Sequence, residues 1–159
     1  MPIIDDNIES GDAFWMQVAL DLASMAAENE DVPVGCVIVK DEAIIGKGYN
    51  CVEKDKDATA HAELIAIKEA IKTAGYKHLL DTKIYTTLEP CSMCAGAIVL
   101  ARISEIIIAA DDLKAGACGS VLNIAQNERL NHRCVIRRGV LREESELMIK
   151  DFFKKLREK

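Results

Sequence analysis

Hydrophobic positions along the chain switch between a helical and a strand period, and each switch marks a new element. Over residues 12–29, Phe14, Val18, Leu22 and Met25 recur at helical spacing, with Trp15 at the edge of the stripe. Val34 to Lys40 and Ile44 to Tyr49 read as strands, and the short polar link Asp41-Glu42 predicts a hairpin between them. The helical period returns from His61 to Ala74, where Leu64, Ile67 and Ile71 make one apolar stripe. Thr59 is the predicted N-cap of that helix, and Gly75 ends it. Lys83 to Leu88 predicts another strand. Pro90 suits the first turn of a helix, which continues from Cys91 through Ala101. Ile103 to Ala110 is again a strand. Its run Ile106-Ile107-Ile108 lacks alternation, as expected where a strand is covered on both faces. A last strand, Cys134 to Arg138, leads to a helix from about Arg142 to Leu156.

Strand, helix and strand joined by short crossovers imply a right-handed parallel unit. The predicted class is therefore α/β, with helices on both faces of a mixed sheet. The 159 residues contain no internal repeat, linker or low-complexity tract, and the length predicts one domain over residues 1–159. No apolar run approaches a membrane span. The opening Met-Pro-Ile-Ile-Asp-Asp lacks the basic and apolar regions of a secretory signal. Six cysteines in such a chain point to a reducing compartment, the cytoplasm, and away from a disulfide framework. Cys36, Cys51, Cys118 and Cys134 lie in or near apolar segments and read as small buried hydrophobes.

The candidate chemistry lies in His61-Ala62-Glu63 and Pro90-Cys91-Ser92-Met93-Cys94. His61, Cys91 and Cys94 supply one imidazole and two thiols, three zinc ligands that leave a fourth position open for water. Cys-x-x-Cys alone could be a redox pair or half of a structural zinc site. A structural site needs four protein ligands, and no second Cys-x-x-Cys or His-x-x-x-His is present. A redox pair gives His61 and Glu63 no task. Both motifs fall at predicted helix starts, where free N–H groups and the helix dipole favour thiolates. Glu63 is close enough to face water at the metal without being a ligand. Together the motifs form the His-x-Glu…Pro-Cys-x-x-Cys signature of zinc-dependent nucleobase deaminases, with Glu63 as the general acid and base.

The surrounding chain narrows this further. Ala60-His61-Ala62-Glu63 and Thr87-Leu88-Glu89-Pro90-Cys91-Ser92-Met93-Cys94-Ala95-Gly96-Ala97 resemble the bacterial tRNA-specific adenosine deaminases. So do Asp31-Val32-Pro33-Val34-Gly35, Lys114-Ala115-Gly116-Ala117-Cys118-Gly119-Ser120, Asn131-His132-Arg133 and Asp151 to Arg157. The resemblance implies a three-layer α/β/α sandwich around a mixed five-stranded sheet, of the cytidine-deaminase-like kind. It implies one Zn2+ per chain and a homodimer whose two subunits compose the site for a tRNA anticodon stem-loop. The implied reaction is adenosine to inosine at the wobble position, on a base already unstacked in its loop. Implied substrate contacts are Asn50, the backbone of Ala62, Asp112 and Lys114. An asparagine ending a strand is also an ordinary turn former.

Charge cuts across this picture. The net charge is −6, yet residues 129–159 hold ten Lys and Arg against five Asp and Glu. Arg129, Arg133, Arg137, Arg138, Lys150 and the terminal Lys154, Lys155 and Arg157 are candidates for a phosphate path. Basic residues in a last helix also suit its dipole and its solubility. Three departures from the family pattern stand out: Ala58 where proline is frequent, Ala115 where threonine is common, and Asp111 where many members carry arginine. Two further readings stay open. One is a deaminase of a free base such as guanine or cytosine; the other is a non-catalytic zinc subunit that only binds RNA, against which Glu63 argues.

Overall fold

A computed structural model describes residue 9 and residues 11–159. Its elements run α1 (Asp12–Glu28), β1 (Gly35–Lys40), β2 (Ala43–Tyr49), α2 (Val52–Asp55), α3 (Ala62–Ala74), β3 (Lys83–Leu88), α4 (Ser92–Leu100), β4 (Glu105–Ala110), β5 (Val135–Arg138) and α5 (Arg142–Arg157). The five strands form one sheet in the order β2-β1-β3-β4-β5. β1 pairs antiparallel with β2 and β3, while β3, β4 and β5 are parallel. Asp41 and Glu42 both take positive φ, the conformation of a tight hairpin turn, as their place between two strands predicts.

Strand alternation divides the interior into two cores. Cys36, Ile38, Ile84, Ile106, Ile108 and Ile136 face α3 and α4. Val37, Val39, Tyr85, Ile107 and Ala109 face the other way, onto Met16 and Ala19 of α1. α5 packs beside α1 over β3 and β4, which completes three layers. Ile106, Ile107 and Ile108 are fully buried, as their lack of alternation requires.

The helix faces differ from the expected stripes. Phe14 is 63% exposed and Met25 42%, whereas Met16, Ala19, Leu20, Ala23 and Ala26 are buried. The reason is the close approach of α1 to β1: a Cβ on Gly35 would lie 1.9 Å from the Ala19 carbonyl oxygen. Only small side chains fit against such a backbone contact, so size selects the face more strongly than hydrophobicity. The same holds on the opposite layer. α3 buries Ala62, Ala66 and Ala70 with Ile67, and Leu64 is only half-buried. Cβ atoms on Gly46 and Gly48 would meet the carbonyl oxygens of Ala66 and Ala62 at 2.2 Å and 2.6 Å. These two glycines, i and i+2 on one face of β2, let α3 settle on the strand.

Two smaller expectations are corrected, and one element was not foreseen. His61 occupies the N-cap position of α3, and the Thr59 hydroxyl donates to Asp57. The short helix α2 carries no periodic signal. It is capped by Asp31, whose carboxylate accepts the N–H groups of Glu53 and Lys54. Cys51 is half-buried, while Cys36, Cys118 and Cys134 are buried and free, as expected. Among the described residues, no helix is long and apolar enough to cross a membrane.

Candidate metal centre and active site

The site lies where β2, β3 and β4 end and β1 begins, at one end of the sheet. His61 follows β2 by way of α2, Cys91 follows β3, and Asp112 follows β4. In open α/β sheets, ligands bind beyond the carboxyl ends of parallel strands.

His61 and Cys91 hold equivalent positions. Each is the N-cap of its helix, with extended backbone, and neither caps with its own side chain. Asn50 takes over the first of these tasks: its Oδ1 accepts the Ala62 N–H at 2.9 Å. The imidazole is thereby left for other work. His61 Nδ1 lies 3.5 Å from Cys91 Sγ and 3.6 Å from Cys94 Sγ. All three ligand atoms lie within 4.8 Å of one another. Tetrahedral zinc, with bonds of about 2.0 Å to nitrogen and about 2.3 Å to sulfur, sets nitrogen and sulfur about 3.6 Å apart. The donor set and its spacing therefore fit zinc.

The two thiols are shifted in opposite directions. A hydrogen bond from Cys94, with backbone N–H groups at Cys94 and Met93 and the nearby His61, lowers Cys91 to about 5. The same hydrogen bond, together with burial and the nearby Glu63, raises Cys94. Zinc binds cysteine as thiolate, so its binding would release protons from the pair. Glu63 is buried, in the first turn of α3. Burial pushes its carboxyl up to about 6, against a hydrogen bond from Cys94. A carboxyl near neutrality can take a proton and return it.

An open cleft of about 820 Å³ reaches this cluster. Asn50, His61, Glu63, Cys91 and Asp112 all line it. Cys94 is buried behind them, and the Ala62 N–H is engaged by Asn50. Lys114 is exposed on the loop that follows Asp112 and donates its N–H to the Asp112 carboxylate. Phe152, Phe153 and Leu156 of α5 form a further wall. Lys154, Lys155 and Arg157 are exposed on the same helix. Arg137 and Arg138 leave the candidate phosphate path. Arg137 is buried against Asp12 and Glu105, and Arg138 binds Glu89 and Asp111. Asp111, the unexpected acid, also pairs with Arg142 at 3.5 Å.

Two contributors were not singled out from the sequence. Asp31 builds the α2 rim of the cleft. Glu89 is buried with its carboxylate in a ring of donors. A signal for Glu89 existed: an acid between Leu88 and Pro90, at a strand end beside a metal ligand, has little access to water.

Comparison with known proteins agrees with this geometry. Residues 9–110 match the cytidine and deoxycytidylate deaminase zinc-binding region. The chain is 48% identical over 147 residues to the tRNA-specific adenosine deaminase of Aquifex aeolicus, covering 92% of this chain and 97% of that one. A solved structure from work on A-to-I editing by tRNA:A34 deaminases superposes with a TM-score of 0.82 at 36% identity, over 85% of this chain and 98% of that chain. The guanine deaminase of Bacillus subtilis superposes less well, with a TM-score of 0.60 at 40% identity over 65% of this chain and 66% of that one. With its metal-ligand triad, its Glu63 and its three-layer fold in place, the chain belongs to the zinc-dependent cytidine and deoxycytidylate deaminase family, among the tRNA-specific adenosine deaminases.

Proposed function

We propose that the chain acts as one deaminase domain that converts adenosine to inosine at the wobble position of a tRNA anticodon. It does so in the cytoplasm, as a homodimer whose two copies together hold the stem-loop. The observation that carries the reading is that His61, Cys91 and Glu63 share one open cleft, with Cys94 closing the ligand triad behind them. The relatives named for tRNA support the choice of substrate.

His61, Cys91 and Cys94 would hold a zinc ion, which would supply Lewis acidity for ionising water near neutral pH. Glu63 accepts a proton from the attacking water as the water oxygen bonds to adenine C6, and it delivers that proton to a ring nitrogen. It then helps protonate the amine that leaves C6 as ammonia. Asn50, fixed through its oxygen by Ala62, presents its amide N–H groups to the base. Asp112 and Lys114 lie on the loop that meets the nucleotide backbone, and Lys154, Lys155 and Arg157 take phosphate contacts at the outer edge of α5.

The deciding experiment incubates the purified protein with an anticodon stem-loop, with guanine and with cytosine, and analyses the products. Inosine at the wobble position is the expected outcome. Turnover of free guanine or cytosine with untouched RNA would instead establish the free-base reading.

A further inference from the structure

Glu89 lines the cleft beside Cys91 without being a metal-ligand candidate, and its carboxylate accepts five hydrogen bonds. Oε2 accepts the N–H groups of Cys118 and Ser120 at 3.0 Å and 3.1 Å. Oε1 accepts the Ser120 hydroxyl at 2.5 Å, Arg138 at 3.2 Å and the Asp112 N–H at 3.3 Å. Gly116 leaves the space the carboxylate fills, since a Cβ there would lie 2.4 Å from it. The backbone repeats the connection: Ala117 N–H donates to the Pro90 carbonyl at 2.8 Å, one residue before Cys91. Arg138 extends it by donating to the Cys118 carbonyl and to Asp111, which also holds Arg142 at the start of α5.

Loop 112–120 has no helix or strand of its own. Its own turns are closed by the Asp112 carboxylate and by backbone hydrogen bonds, Glu89 ties it to the Cys91 side, and it carries Asp112 and Ala115 into the wall of the cleft. We infer that Glu89 is a positioning residue for substrate: it fixes the 112–120 wall at a set distance from the Cys91 turn, and Arg138 and Asp111 brace it. The inference rests on the cleft being the substrate site proposed above. It explains the acid at 111, which serves as an internal partner of two arginines and does not face the RNA as a free charge.

The test uses Glu89→Gln, which keeps the shape and removes the charge, together with Ser120→Ala, which removes one donor to the carboxylate, and Gly116→Ala, whose added methyl would crowd the carboxylate out of its place. Three quantities are read: zinc content, amide exchange at Cys118 and Ser120, and KM and kcat on the stem-loop. The expected result is full zinc, faster exchange at both amides, and a KM raised about tenfold with kcat nearly unchanged, the scale of one charge-assisted hydrogen bond to a wall that acts in binding. If Glu89→Gln does not fold, the other two variants give the same readings. Unchanged exchange would overturn the inference, and so would a loss confined to kcat. Should the wild type spare RNA and deaminate guanine, the tRNA reading fails by itself, while amide exchange and the KM for guanine still decide the role of Glu89.

Discussion

Arg137 and Arg138 are adjacent in β5 and serve opposite sides of the sheet. Arg137 turns to the α1 side, where its guanidinium binds Asp12, and Tyr85 donates to the same carboxylate at 2.7 Å. Both charged side chains are about as buried as any in the chain, at 2% and 1% exposure. Among the described residues, Asp12, Tyr85, Glu105 and Arg137 all lie outside the lining of the cleft. This network fastens the start of α1 to β3 and β5. Arg138 turns to the other side and binds Glu89 beside the Cys91 turn. One strand period thus sends identical side chains to two different tasks, one that holds layers together and one that shapes a site. Burial of charge alone does not distinguish them; what does is whether the partner lies at the end of the sheet where the ligands gather.

The contrast can be broken most sharply from the site side. Glu63→Ala should lower turnover at least ~10²-fold while zinc content and melting temperature stay near wild type, because a proton shuttle is lost and no ligand is. Near-normal turnover would remove Glu63 from the chemistry. Cys94→Ser should lose zinc and some stability together, as measured by metal analysis and thermal melting, since the ligand set couples to folding. Full occupancy in that variant would mean the triad is misassigned. On the α1 side the expected signature is the reverse. Arg137→Ala leaves Asp12 buried without its main partner and should cost about 3–5 kcal/mol in urea unfolding. The folded fraction should keep its zinc and its KM, and a selective rise in KM would show that the two sides are not separable. The smallest effect lies at the rim. Replacing Lys154, Lys155 and Arg157 together by Ala should weaken stem-loop binding and flatten its salt dependence, through fewer released counterions. An unchanged slope in a salt titration would take the outer face of α5 out of the interface.

Much of this was legible in the sequence, for identifiable reasons. The strands were visible because β-branched runs are bounded by polar links, and Asp41-Glu42 could hardly be anything but a turn. The ligand triad was visible because zinc restricts residue type as well as spacing. The buried faces of α1 and α3 were not. Phe14 and Met25 carry more hydrophobic area than Ala19 or Ala23, and a periodicity argument weights them accordingly. What decides the face is the backbone contact at Gly35, Gly46 and Gly48, a property of two elements far apart in the chain. The roles of Arg137, Arg138 and Glu89 were hidden for the same reason. A basic residue near a basic terminus looks solvated until its acid partner, up to 125 residues away, is placed beside it.

The seating of α3 on β2 bears on how this enzyme would respond to engineering. His61 and Glu63 are aimed by a helix whose contact surface is alanine and whose strand is glycine. Apart from Ile67, truncating mutagenesis finds little packing to remove there, so an alanine scan would register His61 and Glu63 and pass over the small residues that aim them. Only adding atoms exposes those: one methyl group at Gly48 has to displace the Ala62 carbonyl, and with it the first turn that carries both site residues. Libraries meant to retune such an enzyme would do well to hold these small positions fixed and to spend their diversity on the loops and on α5.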